Sequence, residues 1–402
     1  MVSDKRTKMM FSLSHSLSAE KIANNDDLLT EILLLLPIKS LFKFKCVSKN
    51  WLFLISNPDF HHRLNLSDFP CALFVHRLPF SNNPLFDFIK LDSSYSEAPF
   101  ERLNFANDLF GIDIINSCNG LLLCSSTQRY SSQARYYIYN PTTKQHTVLP
   151  PVSQVDDESY SLHLAFDPSK SRHYKVICVR QYIVSEPHYN IEIYSSETRL
   201  WRVTAASFTV DSLDNEVAGG AFWNGAIHWI TDWGPCFYLD EEQEQIREMP
   251  MPPKPDDWNR RRVMYFQESR GYLNLIEIYQ HAATQFNVCE LKKDYSRWFV
   301  KYRVDLGVIR SFPEMIKTEL EPTVLNYYAY QIWSIVRGKN DEDSYMVLHL
   351  PAKIVRYNLK DGSFKKLCNF TPGKGATKYK QENAMNLKYY RAYEYIKSLA
   401  TV

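Results

Sequence analysis

Phe222-Trp223-Asn224-Gly225-Ala226-Ile227-His228-Trp229 places an Asn-Gly pair between two apolar and aromatic runs. Both residues of the pair tolerate positive φ, so the stretch predicts a tight β-hairpin. Working outward, the arrangement recurs: Asn119-Gly120 precedes Leu121-Leu122-Leu123, and Arg270-Gly271 precedes Tyr272-Leu273-Asn274-Leu275. A second feature repeats beside it, a strand ending at a polar turn. Its instances are Phe88-Ile89-Lys90-Leu91-Asp92, Tyr137-Ile138-Tyr139-Asn140, Ile191-Glu192-Ile193-Tyr194-Ser195, Phe237-Tyr238-Leu239-Asp240, Val288-Cys289-Glu290-Leu291 and Val355-Arg356-Tyr357-Asn358-Leu359. The anchors at 92, 140, 195, 240, 291 and 359 lie 48, 55, 45, 51 and 68 residues apart. After most turns another strand closes the unit, as in Val148-Leu149-Pro150, Leu200-Trp201-Arg202-Val203 and Trp298-Phe299-Val300. Units of about 50 residues holding two hairpins predict four-stranded propeller blades, and six anchors predict about six of them. A β-sandwich with long loops is the alternative. No Trp-Asp dipeptide occurs, which excludes a WD-type array, and Gly219-Gly220 is the only paired glycine, unlike ordinary kelch blades.

Composition agrees with a globular β-rich chain. Hydrophobic residues make up 45% and charged residues 23% of 402 positions, so a disordered chain is excluded. Aromatics at 14% lean toward strands. Lys plus Arg is 47 against 45 Asp plus Glu, a formal charge of +2, which argues against nucleic acid or an anionic membrane as the partner of the whole surface. The cysteines at 46, 71, 118, 124, 178, 236, 289 and 368 form no C-x-x-C pair and have no histidine at zinc spacing. That distribution predicts neither a disulfide framework nor a structural metal, and suits a reducing compartment. The first twenty residues hold no apolar run of signal-peptide length, and Ile32–Leu36 is far too short to span a bilayer. A cytoplasmic or nuclear chain with no membrane partner is expected.

The first 64 residues read differently. Residues 1–20 look like a disordered tail, and 21–64 carry helical periodicity. A first helix follows Asn24-Asn25-Asp26-Asp27, a run of capping oxygens and acidic first-turn residues. Leu28, Leu29, Ile32, Leu33 and Leu36 fall at helical spacing, and Leu34 and Leu35 widen the stripe. Pro37 stops it. Ile38, Leu41, Phe42 and Cys46 outline a second short helix, and Ser48 opens a third with Val47, Trp51, Leu54 and Ile55, ending near Asn57-Pro58. Three helices of about ten residues cannot bury so many large side chains among themselves. The surplus needs a second body, either the rest of the chain or another protein.

These residues carry a family resemblance. Asp26-Asp27-Leu28-Leu29-Thr30-Glu31-Ile32-Leu33, Leu36-Pro37-Ile38-Lys39-Ser40-Leu41, Phe44-Lys45-Cys46-Val47-Ser48-Lys49-Asn50-Trp51 and Leu54-Ile55-Ser56-Asn57-Pro58-Asp59-Phe60 together resemble an F-box of the plant type. The resemblance implies binding to a Skp-type adaptor and, through it, to a cullin and the ubiquitin-conjugating machinery. Carried over by position, it assigns Leu28, Leu29, Ile32, Leu33, Leu36, Pro37, Leu41, Cys46, Val47 and Trp51 to the F-box core and adaptor interface. Two positions depart from the pattern: Asn24-Asn25 stands for the usual Leu-Pro, and Leu35 for the usual Arg before Leu-Pro. Lys39, Lys43, Lys45 and Lys49 make the head basic, which would suit an acidic adaptor or a plain solvated face.

The β body resembles a second family. Ser117-Cys118-Asn119-Gly120-Leu121-Leu122, Tyr139-Asn140-Pro141-Thr142-Thr143-Lys144, Ala165-Phe166-Asp167-Pro168 with Tyr174-Lys175-Val176, Ile193-Tyr194-Ser195-Ser196 with Trp201-Arg202, and the stretch from Phe222 to Trp229 follow the order of the plant F-box-associated domain. This resemblance implies a kelch-related substrate-recruiting domain over about 70–375.

Catalytic and cofactor signatures are missing. There is no G-x-S-x-G, H-E-x-x-H, G-x-x-x-x-G-K-[ST] or G-x-G-x-x-G. Asp256-Asp257 and Asp341-Glu342-Asp343 are the paired carboxylates a glycosidase would need, but each sits in a polar run that reads as a loop tip. Asp361-Gly362-Ser363-Phe364 reads as a turn. His61-His62 and His228 lack metal-ligand partners at spacing and read as a surface pair and a packed strand residue. Trp258 with Arg260, Arg261 and Arg262 forms a basic, aromatic-flanked cluster, the candidate substrate contact. Met385, Tyr389, Tyr393, Ile396 and Ala400 fall at near-helical spacing in a closing segment, 376–402, expected to pack on the body.

The expectation is therefore an α+β multidomain chain: a three-helix F-box, then an all-β, kelch-like propeller. It would act as the non-catalytic substrate receptor of a Skp-cullin-F-box ubiquitin ligase, without cofactor or metal. The rival is a glycan-binding or hydrolytic propeller with a helical cap.

Overall fold

The computed structural model describes residues 21–22, 24–64, 69–77, 83–92, 97–108, 111–126, 134–152, 159–183, 187–209, 217–231, 236–240, 243–252, 262–279, 284–307, 330–350, 353–370 and 390–402. Helices come first, then a six-bladed β-propeller.

Four helices form the head among the described residues: α1 Asp26–Leu34, α2 Ile38–Phe44, α3 Lys49–Ser56 and α4 Pro58–Arg63. The fourth corrects the expected three. Pro58 sits at its first position, where a missing N–H costs nothing, so the residue read as a stop is also a start. Asn25 caps α1, its Oδ1 accepting from the Leu28 amide at 3.1 Å, and Ser48 Oγ caps α3 through the Trp51 amide at 3.1 Å. Asn50 Nδ2 donates to Asp26 Oδ1 at 2.8 Å, tying α3 to α1, and Arg63 pairs with Glu31, tying α4 to α1.

Five sheets have four antiparallel strands each, and the sixth has three described strands. Blades II to VI begin with inner strands Ile112–Cys118, Ser159–Ala165, Val217–Trp223, Arg262–Ser269 and Gln331–Val336. In blade I the innermost strand is Tyr390–Tyr395, from the end of the chain, paired antiparallel with Ala72–Arg77, which in turn pairs with Phe86–Lys90. The near-helical spacing of the closing segment is thus corrected: Tyr393 lies in a strand, Ile396 and Ala400 follow it in neither helix nor strand, and the propeller runs past 375. Tyr390, Tyr393 and Tyr395 are buried in the ring, and the tyrosines rather than a helical stripe explain the apolar spacing. Met385 and Tyr389 lie outside the described residues.

All six sequence anchors close the third strand from the axis. The three predicted hairpins join first and second strands, with both turn residues at positive φ: Asn119 44° and Gly120 88°, Asn224 50° and Gly225 84°, Arg270 52° and Gly271 77°. That combination is the primed turn whose twist matches the strands it connects.

Six apolar clusters fill the seams between neighbouring blades. Phe74, Ile114 and Tyr395 join I to II; Leu123, Leu164 and Val176 join II to III; Ile177, Trp229 and Leu239 join III to IV. Trp223, Leu275 and Leu291 join IV to V; Val288, Met346 and Leu348 join V to VI; Leu73, Val347 and Ile354 close VI onto I. The seam between blades V and VI also carries charge. Arg337, at the end of the blade VI inner strand, is buried against Glu290 of blade V at 3.3 Å and reaches Asp341 at 3.3 Å and the Tyr302 hydroxyl.

Beyond Tyr395 the chain crosses from ring to head. Asn140 Nδ2 donates to the carbonyls of Ser398 and Ala400 at 3.0 and 2.8 Å, and the Ser398 amide donates to Thr142 Oγ1 at 3.2 Å. A Cβ on Gly120 would lie 2.4 Å from Ser398 Cβ, so only glycine admits the crossing there. Ala400 enters the seam between blades II and III, while Leu399, fully buried, packs with Leu29, Leu33, Leu41, Leu54, Ile55 and Phe60 in the helical core. Lys45 Nζ donates to the Leu399 carbonyl at 2.6 Å; burial brings its pKa down to about 8. This corrects Lys45 as a solvated surface base.

Candidate functional site

Two surfaces are built for contact. The first is on the helical head. On α1, Leu29 and Leu33 face the core, while Leu28, Ile32 and, at the C-cap, Leu35 fall at i, i+4 and i+7 on the adjacent face and are exposed, Leu35 by 86%. Val47 at 57% and Leu52 and Phe53 of α3, the latter 63% exposed, are further exposed apolar residues of the head. The ten residues assigned from sequence therefore divide. Leu29, Leu33 and Leu41 are core, and Leu36 and Trp51 are half-buried, Trp51 edge-on to Phe44 with centroids 5.2 Å apart. Leu28, Ile32, Pro37, Cys46 and Val47 are exposed. Leu35, Leu52 and Phe53 were not among the ten. Helical phase was the signal for Leu35, one face round from Leu29 and Leu33. A large apolar side chain forgoes roughly 1.5–3 kcal/mol when left in water, so six such residues on a head this small mark an interaction surface.

The second surface is the propeller's axis. A cavity of about 510 Å³ is lined by inner-strand residues of all six blades, among them Asn116, Ser161, Gly219, Gln267, Trp333 and Arg391. It narrows toward the ends of those strands, where Ser117, Asn119, Leu164, Phe222, Glu268, Glu394 and Ile396 leave about 40 Å³. The narrow end is the side on which Gly120 meets Ser398, and so the side toward the head.

Burial shifts two of the cavity's groups, His163 and Glu394, toward their neutral forms. His163 has its Nε2 3.0 Å from Ser161 Oγ, and burial pulls its pKa down to about 4. Glu394 accepts from Ser334 Oγ at 2.6 Å; burial, with some repulsion from Glu268, pushes its carboxyl up to about 7. Tyr136 and Tyr160 share a hydroxyl–hydroxyl bond of 2.7 Å. Arg391 is exposed at the wide end.

Other sequence candidates are not brought to either surface. Trp258, Arg260 and Arg261 lie outside the described residues, as do Asp256 and Asp257; Arg262 opens the inner strand of blade V. Asp341-Glu342-Asp343 forms a short 3-10 turn whose Asp341 bonds Lys301 Nζ at 2.8 Å and Tyr302 Oη at 3.0 Å, so it is seam structure and not a bare loop tip. His228 is fully buried between the carbonyls of Ala221 and Ala226 and the Tyr295 hydroxyl. All eight cysteines are free, and no group of three metal-ligating side chains occurs among the described residues. No described helix is long and apolar enough to cross a membrane.

Comparison with known proteins bears on both parts. Residues 25–63 match the F-box domain family, and residues 85–251 match the F-box associated beta propeller domain. The second match ends with blade IV, and blades V and VI continue the same architecture beyond it. F-box protein At5g07610 of Arabidopsis thaliana is 37% identical over 96% of this chain and 94% of its own length. F-box protein At5g49610 of the same plant is 30% identical over 63% of this chain and 71% of its own. The Arabidopsis F-box/kelch-repeat protein At3g23880 is 27% identical over 62% and 69%.

Proposed function

This chain belongs to the F-box proteins that carry an F-box-associated β-propeller, and from that premise we propose that it is the substrate-recognition subunit of a Skp-cullin-F-box ubiquitin ligase. The exposed side of α1 and α3, with Leu28, Ile32, Leu35, Val47, Leu52 and Phe53, docks the Skp-type adaptor, and Leu36, Pro37, Cys46 and Trp51 border it. The propeller recruits the protein to be ubiquitinated. The chain makes no bond itself; it raises the local concentration of target beside activated ubiquitin, a proximity effect. F-box proteins are generally non-catalytic adaptors. A cytoplasmic or nuclear site of action follows from this role.

The observation that carries the proposal is the division of α1 into a buried face completed by Leu399 and a leucine-isoleucine face left exposed by the described residues. Co-expression with plant Skp-type adaptor paralogues, followed by size-exclusion chromatography, tests it. A stable one-to-one complex is expected. A monomer that ignores every paralogue would overturn the assignment and leave the head a cap on the propeller.

A further inference from the structure

We propose that the central cavity is a peptide-binding site for an acidic group, an Asp, Glu or C-terminal carboxylate, with Arg391 as counter-ion and the amides of Asn116 and Gln267 as hydrogen-bonding partners. That the guest is a protein segment rests on the receptor role argued above.

The buried arginines of the ring are committed. Arg180 pairs with Glu192 at 2.7 Å, and Arg337 with Glu290. Arg391 differs: it is exposed in a concave site, and its guanidinium has no hydrogen-bond or ion-pair partner among the described residues. The side chains of Asn116 and Gln267, on the inner strands of blades II and V, are likewise without a side-chain partner there. A guanidinium and two amides lining one cavity suit an acidic peptide: Arg391 offers the carboxylate charge-assisted bonds, and the amides, which also line the narrow end, bond the polar groups beside it.

The acids of the narrow end are engaged elsewhere. Glu394 follows Arg391 by three residues on the same strand, about 10 Å along at strand rise, and accepts from Ser334, and Glu268 beside it accepts from the Gly271 amide. The cavity volume of about 510 Å³ takes a few side chains of an inserted loop or tail and not a folded surface.

A glycan is disfavoured because sugars stack on open aromatic faces, and these are closed. Trp333 is packed between His349, Phe370 and Tyr390; Tyr265 and Tyr393 are buried; and Arg180 lies over the Tyr160 ring at 5.7 Å. At Gly219 the opposite holds: a Cβ would meet nothing within 4 Å, so the wall of blade IV is bare backbone open to a guest.

Selection of a degenerate displayed peptide library on the full-length chain tests the proposal. The winning peptide and its Asn/Gln isostere are then titrated by fluorescence anisotropy against wild type, Arg391→Lys, Arg391→Glu and Asn116→Asp. Expected are Asp or Glu at one fixed position, at least tenfold weaker binding of the isostere, and at least tenfold loss in Arg391→Glu. Arg391→Lys should retain part of the affinity, Asn116→Asp should weaken it, and thermal melting should be unchanged. No enriched peptide, an acid preference that survives Arg391→Glu, a preference for basic peptides, or hits only on a glycan array would each overturn it. Adaptor co-elution is measured separately: acidic-peptide binding without adaptor binding defeats the receptor role alone, and the converse defeats this site alone.

Discussion

The head and the ring solve the same problem at different scales. The propeller buries a large apolar seam between every pair of neighbouring blades, and its last strand closes the circle beside its first. The head has a single small core, and one of its buried leucines, Leu399, is supplied from the far end of the chain. A domain of about 40 residues is marginal alone. Here the deficit is met twice over, inward by the C-terminal segment and outward, on the argument above, by the adaptor. The same thirteen residues, 390–402, therefore serve both regions: the strand closes the ring, and the tail fastens the head to it. A consequence is a fixed attachment. Asn140, Thr142 and Lys45 hold the tail on both sides, so the head and the propeller are joined by more than the chain that runs directly from one to the other.

Truncation breaks the comparison most severely. Ending the chain before Tyr390 removes the innermost strand of blade I, and the ring is expected not to fold cooperatively. Ending it after Tyr395 should leave the ring's melting transition in place while the head becomes the first target of limited proteolysis. Equal protease sensitivity of the two truncations would contradict the division of labour within 390–402.

Single substitutions sharpen it. Arg337→Ala strands Glu290 in the seam between blades V and VI, and removal of one partner of a buried pair costs about 3–5 kcal/mol. The loss should appear in the propeller's denaturant midpoint and not in adaptor binding. Leu399→Ala should cost about 2–4 kcal/mol of head stability from transfer and cavity terms, read as faster hydrogen exchange in α1 to α3 with little change in the ring.

The smallest effect is in pH. Burial holds His163 and His228 down to about 4, against an ordinary value of about 6.5. The unfolded chain then binds more protons between those values, so this stability is complete above pH 6.5 and is lost as pH falls toward 4. Glu394, pushed up to about 7, has the opposite sign, its contribution being lost as pH rises through that value. Between pH 4.5 and 6.5 the two histidines taken alone make the melting temperature fall on acidification, against Glu394 and Glu290, whose carboxyls burial pushes up. His163→Gln should flatten that slope; an unchanged slope would show that His163 is not buried neutral.

The two regions also differed in how far the sequence revealed them. Asn-Gly and Arg-Gly pairs carry their own backbone geometry, so three inner hairpins could be located from residue type alone, and six strand-ending turns supplied the blade number. Closure could not be read this way, because Tyr390-Arg391-Ala392-Tyr393-Glu394-Tyr395 becomes the inner strand of the first blade only through pairing with residues more than 300 positions earlier. The cavity was hidden for the same reason: Asn116, Gln267 and Arg391 come from three blades and share no local pattern. On the head, helical phase separated two faces of α1, but which face was core depended on Leu399. Leu35 looked like a departure from a family pattern and proved to be an exposed member of the apolar face.

The most direct test of the account is adaptor binding by the Ile32→Asp, Leu35→Asp double variant, measured beside wild type with the melting of both regions followed. Both residues lie on the exposed side of α1, away from Leu29 and Leu33, so the fold should persist while affinity for the Skp-type adaptor falls more than a hundredfold. Undiminished binding by the folded double variant would show that this face of the head is not the docking surface.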